Sequence, residues 1–231
     1  MHWGFLAFFG GIGGYYVVSL ILSAVLSSQL ADNFEISDVP QLGPMVLLAF
    51  VPNVLLGIAP AVGSWRWGRG LRADFGIIPT RRDITIGLGC GGFALLVAYL
   101  VNLVLLGVYG PERMPRDPLS EVRELAGDQT VWLALTVVFL VIGAPLTEEL
   151  LLRGALWGAL EHYKVPRYAI LVLTSLVFAF LHEEPTRTPA LIAQGLAIGA
   201  ARMITGRTGA SMVAHAANNL LPALVLLQGP A

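Results

Sequence analysis

Polar positions are scarce along this chain, and the apolar positions fall in long runs rather than in alternating or amphipathic patterns. Seven runs stand out: 3–29, 42–63, 84–109, 131–161, 168–182, 189–205 and 208–228. A helix crosses a bilayer with about 20 apolar residues, so each run is read as a spanning helix, the fifth and sixth being short. The expected fold is all-α: a polytopic transmembrane helical bundle of about seven spanning helices. No polar segment is long enough for a soluble domain, so residues 1–231 are expected to form a single membrane domain. The first run could be mistaken for a signal peptide. It has no basic n-region, and its apolar core exceeds the usual length of about 7–15 residues, so it reads as a retained helix. Gly10, Gly11, Gly13, Gly14 and the spacing Gly195-x-x-x-Gly199 allow close helix approach, which is a packing signal.

Composition agrees with the pattern. The chain is 56% hydrophobic and 13% charged, whereas about a quarter of a soluble domain is charged. A net charge of −1 and the lack of a basic stripe exclude nucleic acid as a partner. Cys90 is the single cysteine. It makes no intrachain disulfide, has no base in its segment, and is read as a small packing residue.

Basic residues in short loops set orientation. Arg66, Arg69, Arg72, Arg81, Arg82, Lys164, Arg167, Arg202 and Arg207 fall in one alternate set of loops, nine in all. Arg113, Arg116, Arg123 and Arg187 make four in the other set. The first set is expected in the cytoplasm, with the N-terminus inside and the C-terminus outside.

The exceptions to the apolar pattern carry the chemistry. Glu148, Glu149 and Arg153 interrupt the fourth run, His182 ends the fifth, and His215 with Asn219 lies inside the seventh. A charge at bilayer depth costs about 3 kcal/mol on insertion scales, and such residues usually face the bundle interior and mark a site. Glu149 and Arg153 are spaced i,i+4 with the acid first, the favourable order for an ion pair. Glu148 points about 100° away on a helix of 3.6 residues per turn, so one carboxylate is neutralised and the other left free. His182 lies one turn beyond Phe178. The segments 131–161 and 168–182 form a hairpin, and at 1.5 Å per residue Glu148 and His182 stand roughly 24–27 Å from its turn, at the same height. His215 lies only about 12 Å past the turn of the second hairpin, so it meets them only if the first hairpin protrudes further into the cytoplasm. His182-Glu183-Glu184 opens like a zincin motif, but Thr186 stands where the second histidine belongs. Ser211 is four residues before His215 and is expected to bond its own helix.

Glu, His, His and Asn on three helices suit two hydrolytic designs. Glu148, His182 and His215 match the ligand count of a catalytic zinc site, in which the metal would activate water. Alternatively a free glutamate acts as general base, with histidine and Asn219 stabilising an oxyanion. The residues leave both open.

The three pieces, Glu148-Glu149…Arg153-Gly154, Phe178…His182 and His215…Asn219, resemble the CAAX protease and bacteriocin-processing family, also called Abi, which includes the type II CAAX prenyl endopeptidases. The approach Thr205-Gly206-Arg207-Thr208-Gly209 is similar too. The resemblance covers about residues 130–225, taken as the family core. Leu152 departs from it, an aromatic often preceding the arginine. The resemblance implies an intramembrane endopeptidase in which Glu148 activates water, Glu149, His182, His215 and Asn219 complete the catalytic set, and Arg153 and Phe178 support it. It leaves zinc-dependent and metal-free glutamate mechanisms both open. It implies membrane-associated peptide or protein substrates, prenylated CAAX-type or bacteriocin-like, and an integral protein of the cell membrane. Two other classes use buried acids or histidines differently: a transporter or proton relay, and a catalytically silent membrane scaffold. A relay needs a polar path across the whole bilayer, and the first three runs carry almost no ionisable residue in their cores.

Overall fold

The computed structural model describes residues 1–32, 50–113 and 130–227, side chains being described within 1–25, 50–113 and 131–227. Residues 42–49 of the second predicted run, residues 114–129 of the 110–130 loop, and residue 228 lie outside these. Among the described residues, besides a 3-10 turn at Pro111–Arg113, eight helices follow in order: α1 (Gly4–Asp32), α2 (Val51–Trp67), α3 (Leu71–Phe75), α4 (Arg81–Tyr109), α5 (130–162), α6 (Arg167–Leu181), α7 (Thr188–Thr205) and α8 (Thr208–Val225). No strand occurs among the described residues. Each of the seven apolar runs is helical where described. Among the described residues, three helices are long and apolar enough to cross a membrane: Gly4–Val25, Arg81–Tyr109 and Val131–His162. The sequence pattern did not foresee α3, a five-residue helix inside the arginine-rich 64–83 loop.

Large apolar side chains cover the outside of these helices. Leu6, Phe9, Leu20, Val104, Val131 and Phe180 are each more than 60% exposed. A soluble protein would not tolerate such a surface. Lipid does, because every backbone polar group inside a helix is already paired.

Helix α5 is the centre of the bundle and packs against α1, α2, α6 and α8. It is continuous but not uniformly α-helical, since residues 139–143 and 150–156 are π-helical turns. A π-turn bonds i→i+5 and inserts one extra residue, and such turns are often found at functional sites. The first precedes Pro145, which has no N–H to give and would clash with the carbonyl four residues back in a regular helix. The amide of Ala144 bonds the carbonyl of Phe139, five residues back. The Leu140 carbonyl therefore has no helical donor. Ala144 is diverted, and Pro145 cannot donate. Likewise the Trp157 amide reaches back to Leu152 and leaves the Arg153 carbonyl open to side chains.

The second hairpin plugs into these openings. Gly206, at φ +74°, ends α7 in a left-handed conformation that glycine adopts without strain. Thr208 Oγ1 and Arg202 Nε then donate to the Arg153 carbonyl at 3.3 and 3.2 Å. The α7–α8 turn is thus level with Arg153. The α5–α6 hairpin runs on to His162, about nine residues or roughly 13 Å further at 1.5 Å per residue. That is the protrusion needed to bring His215 level with the first hairpin's polar residues. Arg207 fastens the same turn to the start of α4. Its Nε donates to Asp83 Oδ2 at 2.9 Å, and Asp83 in turn forms a capping box with Thr80. Cys90 packs with the small residues of α4, α7 and α8, as a packing residue should.

Candidate active site

Glu149 and Arg153 are completely buried, and Arg153 Nη1 donates to Glu149 Oε1 at 3.0 Å. Arg153 Nη2 donates to the Gly195 carbonyl at 2.8 Å, and the guanidinium lies 5.2 Å from the centre of the Phe178 ring. Gly195 makes this possible. A β-carbon there would press within 3.2 Å of Ser175 and Phe178, so glycine gives α7 the close approach that offers its backbone. Glu149 Oε2 and Arg153 Nε are buried without hydrogen-bond partners.

The two histidines are held in the same tautomer. His182 Nδ1 is 2.8 Å from the Phe178 carbonyl, and His215 Nδ1 is 3.1 Å from Glu149 Oε1. A carbonyl or carboxylate only accepts, so each Nδ1 carries the hydrogen. In the neutral ring Nε2 is then left as a lone pair. Phe178 packs on both imidazoles, with ring centres 4.5 Å from His182 and 5.5 Å from His215.

Sequence spacing suggested that Glu148 would face both imidazoles, but the structure divides them. Glu148 and His182 line one cavity of about 210 Å³, together with Ile12, Tyr15, Asn53 and Phe178. His215 instead bonds Glu149, and neither His215 nor Asn219 lines that cavity. Asn219 does not orient an imidazole either. Its Nδ2 donates at 3.0 Å to the Leu140 carbonyl, the one left without a donor ahead of Pro145. That contact begins a chain of amides. Asn219 Oδ1 accepts from Asn218 Nδ2 at 3.0 Å, and Asn218 Oδ1 accepts from Gln194 Nε2 at 3.1 Å. Because Leu140 can only accept, the orientation of all three amides is determined. Ser211 bonds its own helix, donating to Thr208 at 2.9 Å.

Gln194, Asn218, Tyr15 and Asn53 were not singled out in the sequence. The signal was present. A neutral amide or hydroxyl in an apolar run also resists desolvation, but at a lower cost than a charge, so a search for charges passes over it.

The donor chemistry suits a zinc ion in one respect. Both Nε2 lone pairs are available, each backed by an Nδ1 hydrogen bond of the kind that metal-ligating histidines make. Convergence is lacking. Among the described residues, no three His, Cys, Asp or Glu side chains come together to hold a metal. As placed, Glu148, His182 and His215 do not form a three-ligand site.

The fold and site therefore define a class: an all-helical integral membrane protein with carboxylates and imidazoles gathered inside the bundle. Residues 130–221 match the family described as type II CAAX prenyl endopeptidase Rce1-like. Over this segment the chain is similar to the CAAX protease family. No curated protein and no solved structure matches the chain.

Proposed function

We propose that this protein is an intramembrane endopeptidase of the cell membrane that hydrolyses peptide bonds of membrane-associated substrates, prenylated CAAX-type peptides being the first class to test. The observation that carries the reading is Glu148. It is a carboxylate without an ion-pair or hydrogen-bond partner among the described residues, sharing a cavity with the lone pair of His182 while its neighbour Glu149 is neutralised. Glu148 takes a proton from water while the water oxygen bonds to the carbonyl carbon. His182 Nε2 accepts a hydrogen bond from the water's other O–H, which stays on the oxygen, and so orients the water. The tetrahedral intermediate then collapses with cleavage of the C–N bond, and Glu148 returns the proton to the leaving amine. Glu149, Arg153, His215 and Asn219 act in this reading as positioning residues. They fix Phe178 and the two π-turns that flank Glu148. Seven spanning helices, with the N-terminus in the cytoplasm, complete the proposal.

The test uses purified full-length protein in liposomes and a quenched fluorogenic peptide ending in a farnesylated CAAX sequence. Loss of a general base typically costs about 10²–10⁴-fold in rate. Glu148→Gln should lose cleavage on that scale with its melting temperature unchanged. Cleavage at the wild-type rate would remove Glu148 from the mechanism.

A further inference from the structure

The cavity holding Glu148 and His182 is not built only from the segment that matches the family. Ile12 and Tyr15 come from α1, and Asn53 and Leu56 from α2, both outside residues 130–221. Asn53 differs from its neighbours. It lies in a helix whose other cavity-lining residue is apolar, yet its side-chain amide hydrogen-bonds to no described residue. It is not sealed off either, since its amide atoms are not among the buried unpaired ones. It is a free amide facing the cavity that holds Glu148 and His182. Open to the cavity and unpaired, the amide has both its donor and its acceptor available to an occupant.

Its height relative to Glu148 can be worked out. Gly57 lies four residues after Asn53, on the same face of α2. A β-carbon at Gly57 would sit 2.9–3.2 Å from Thr147, so α2 crosses α5 in close contact there, one residue from Glu148. Phe50, at the start of α2, packs 4.1 Å from Phe139. The two helices therefore run in the same direction. Asn53 is then about 6–8 Å from the level of Glu148, toward the N-terminal end of α5, at 1.5 Å per residue. An extended peptide covers that distance in about two residues at 3.3–3.6 Å each.

We propose that Asn53 is a substrate-binding residue. Its amide hydrogen-bonds the backbone peptide group about two residues from the scissile bond and so fixes the register of the peptide against Glu148. An asparagine amide offers one donor and one acceptor side, the complement of a peptide group's C=O and N–H. The contact reads no side chain, so it suits an enzyme that binds an extended backbone. This rests on the peptidase reading, and the test separates the two.

Asn53→Leu keeps the volume and removes the hydrogen bonds. Full-length wild type, Asn53→Leu and Glu148→Gln are compared on the fluorogenic farnesylated peptide and on versions carrying a single backbone ester at each of the three positions on either side of the cleaved bond. Asn53→Leu should raise KM about tenfold or more, since an unmet peptide group is left behind. Its kcat should stay near wild type, the mark of lost ground-state binding, and its melting temperature should not change. One ester position should raise KM in wild type and have no further effect in Asn53→Leu, a non-additivity that a merely structural role does not produce. A wild-type KM in Asn53→Leu, or ester penalties that simply add at every position, would overturn the assignment. If Asn53→Leu misfolds, the ester scan on wild type alone decides: no sensitive position within three residues rejects the contact. If wild type cleaves no probe while Asn53→Leu and Glu148→Gln bind the peptide as wild type does, both the peptidase reading and this assignment fall. Weaker binding by Asn53→Leu alone would keep Asn53 as a peptide-binding residue and remove only the chemistry.

Discussion

Replacing Glu149 by glutamine is the sharpest test of how the buried charges are arranged. The variant keeps the side chain's shape and an oxygen for Arg153 Nη1 and His215 Nδ1, which now lie 3.0 and 3.1 Å from Glu149 Oε1. What it removes is the charge. Arg153 is then a buried cation whose remaining partners are the Gly195 carbonyl and the Phe178 face, with Nε already unpaired. Two unit charges about 4 Å apart attract by about 4 kcal/mol at an effective dielectric near 20. Breaking one side of a buried pair costs about 3–5 kcal/mol when measured. Against a total stability of about 5–15 kcal/mol, that is a large fraction. For a chain of this size it should lower the melting temperature by roughly 6–20 °C. The assay is a melting curve in detergent for Glu149→Gln, Arg153→Met and the double variant. The double variant should melt above Glu149→Gln, because a neutral pair leaves no stranded charge. Per folded molecule, Glu149→Gln should still cleave, unlike Glu148→Gln. A single variant that melts within about 2 °C of wild type, or a double variant that melts below it, would refute this account of the pair.

Two further outcomes are expected. If the carboxylate alone activates water, protein stripped with a chelator and checked by elemental analysis keeps its cleavage rate; about one equivalent of zinc that must be restored for activity would show that the three ligands converge on binding it. With nine basic residues in one set of loops and four in the other, a C-terminal reporter that works only in the cytoplasm should be silent, and a bright one would invert the proposed topology.

The helices were legible because a run of about 20 apolar residues has few alternatives to a helix in lipid. The Glu149–Arg153 contact was legible because i,i+4 neighbours meet on any helix. The partner of His215 was not. Apolar periodicity carries no phase marker along the run 131–161, so it does not reveal that two turns of α5 are π-helical. Pro145 was the available clue, since a proline inside a helix must disturb the hydrogen bonds before it. The glycines show the same limit. Gly11 and Gly14 do face α2, while Gly10 and Gly13 face open space, and their sequence spacing alone does not say which pair makes the contact.

The two π-turns also explain why polar residues from α7 and α8 gather beside Glu148. Each turn frees a carbonyl on α5, and an unmet carbonyl in an apolar interior costs about as much as a lost hydrogen bond. Leu140 is answered by Asn219 at 3.0 Å, and Arg153 by Arg202 and Thr208. These bonds pin the first turn of α8 and its Asn219 end to α5 at two heights, about 13 residues apart along α5. His215 lies between them and is held against Glu149. Glu149 is occupied by Arg153 and His215 together, so it cannot turn toward the cavity. Glu148 then remains the carboxylate that faces the cavity with no protein group competing for it. The two adjacent glutamates, about 100° apart on the helix, thus differ in surroundings: Glu149 is held by Arg153 and His215, and Glu148 lines the cavity.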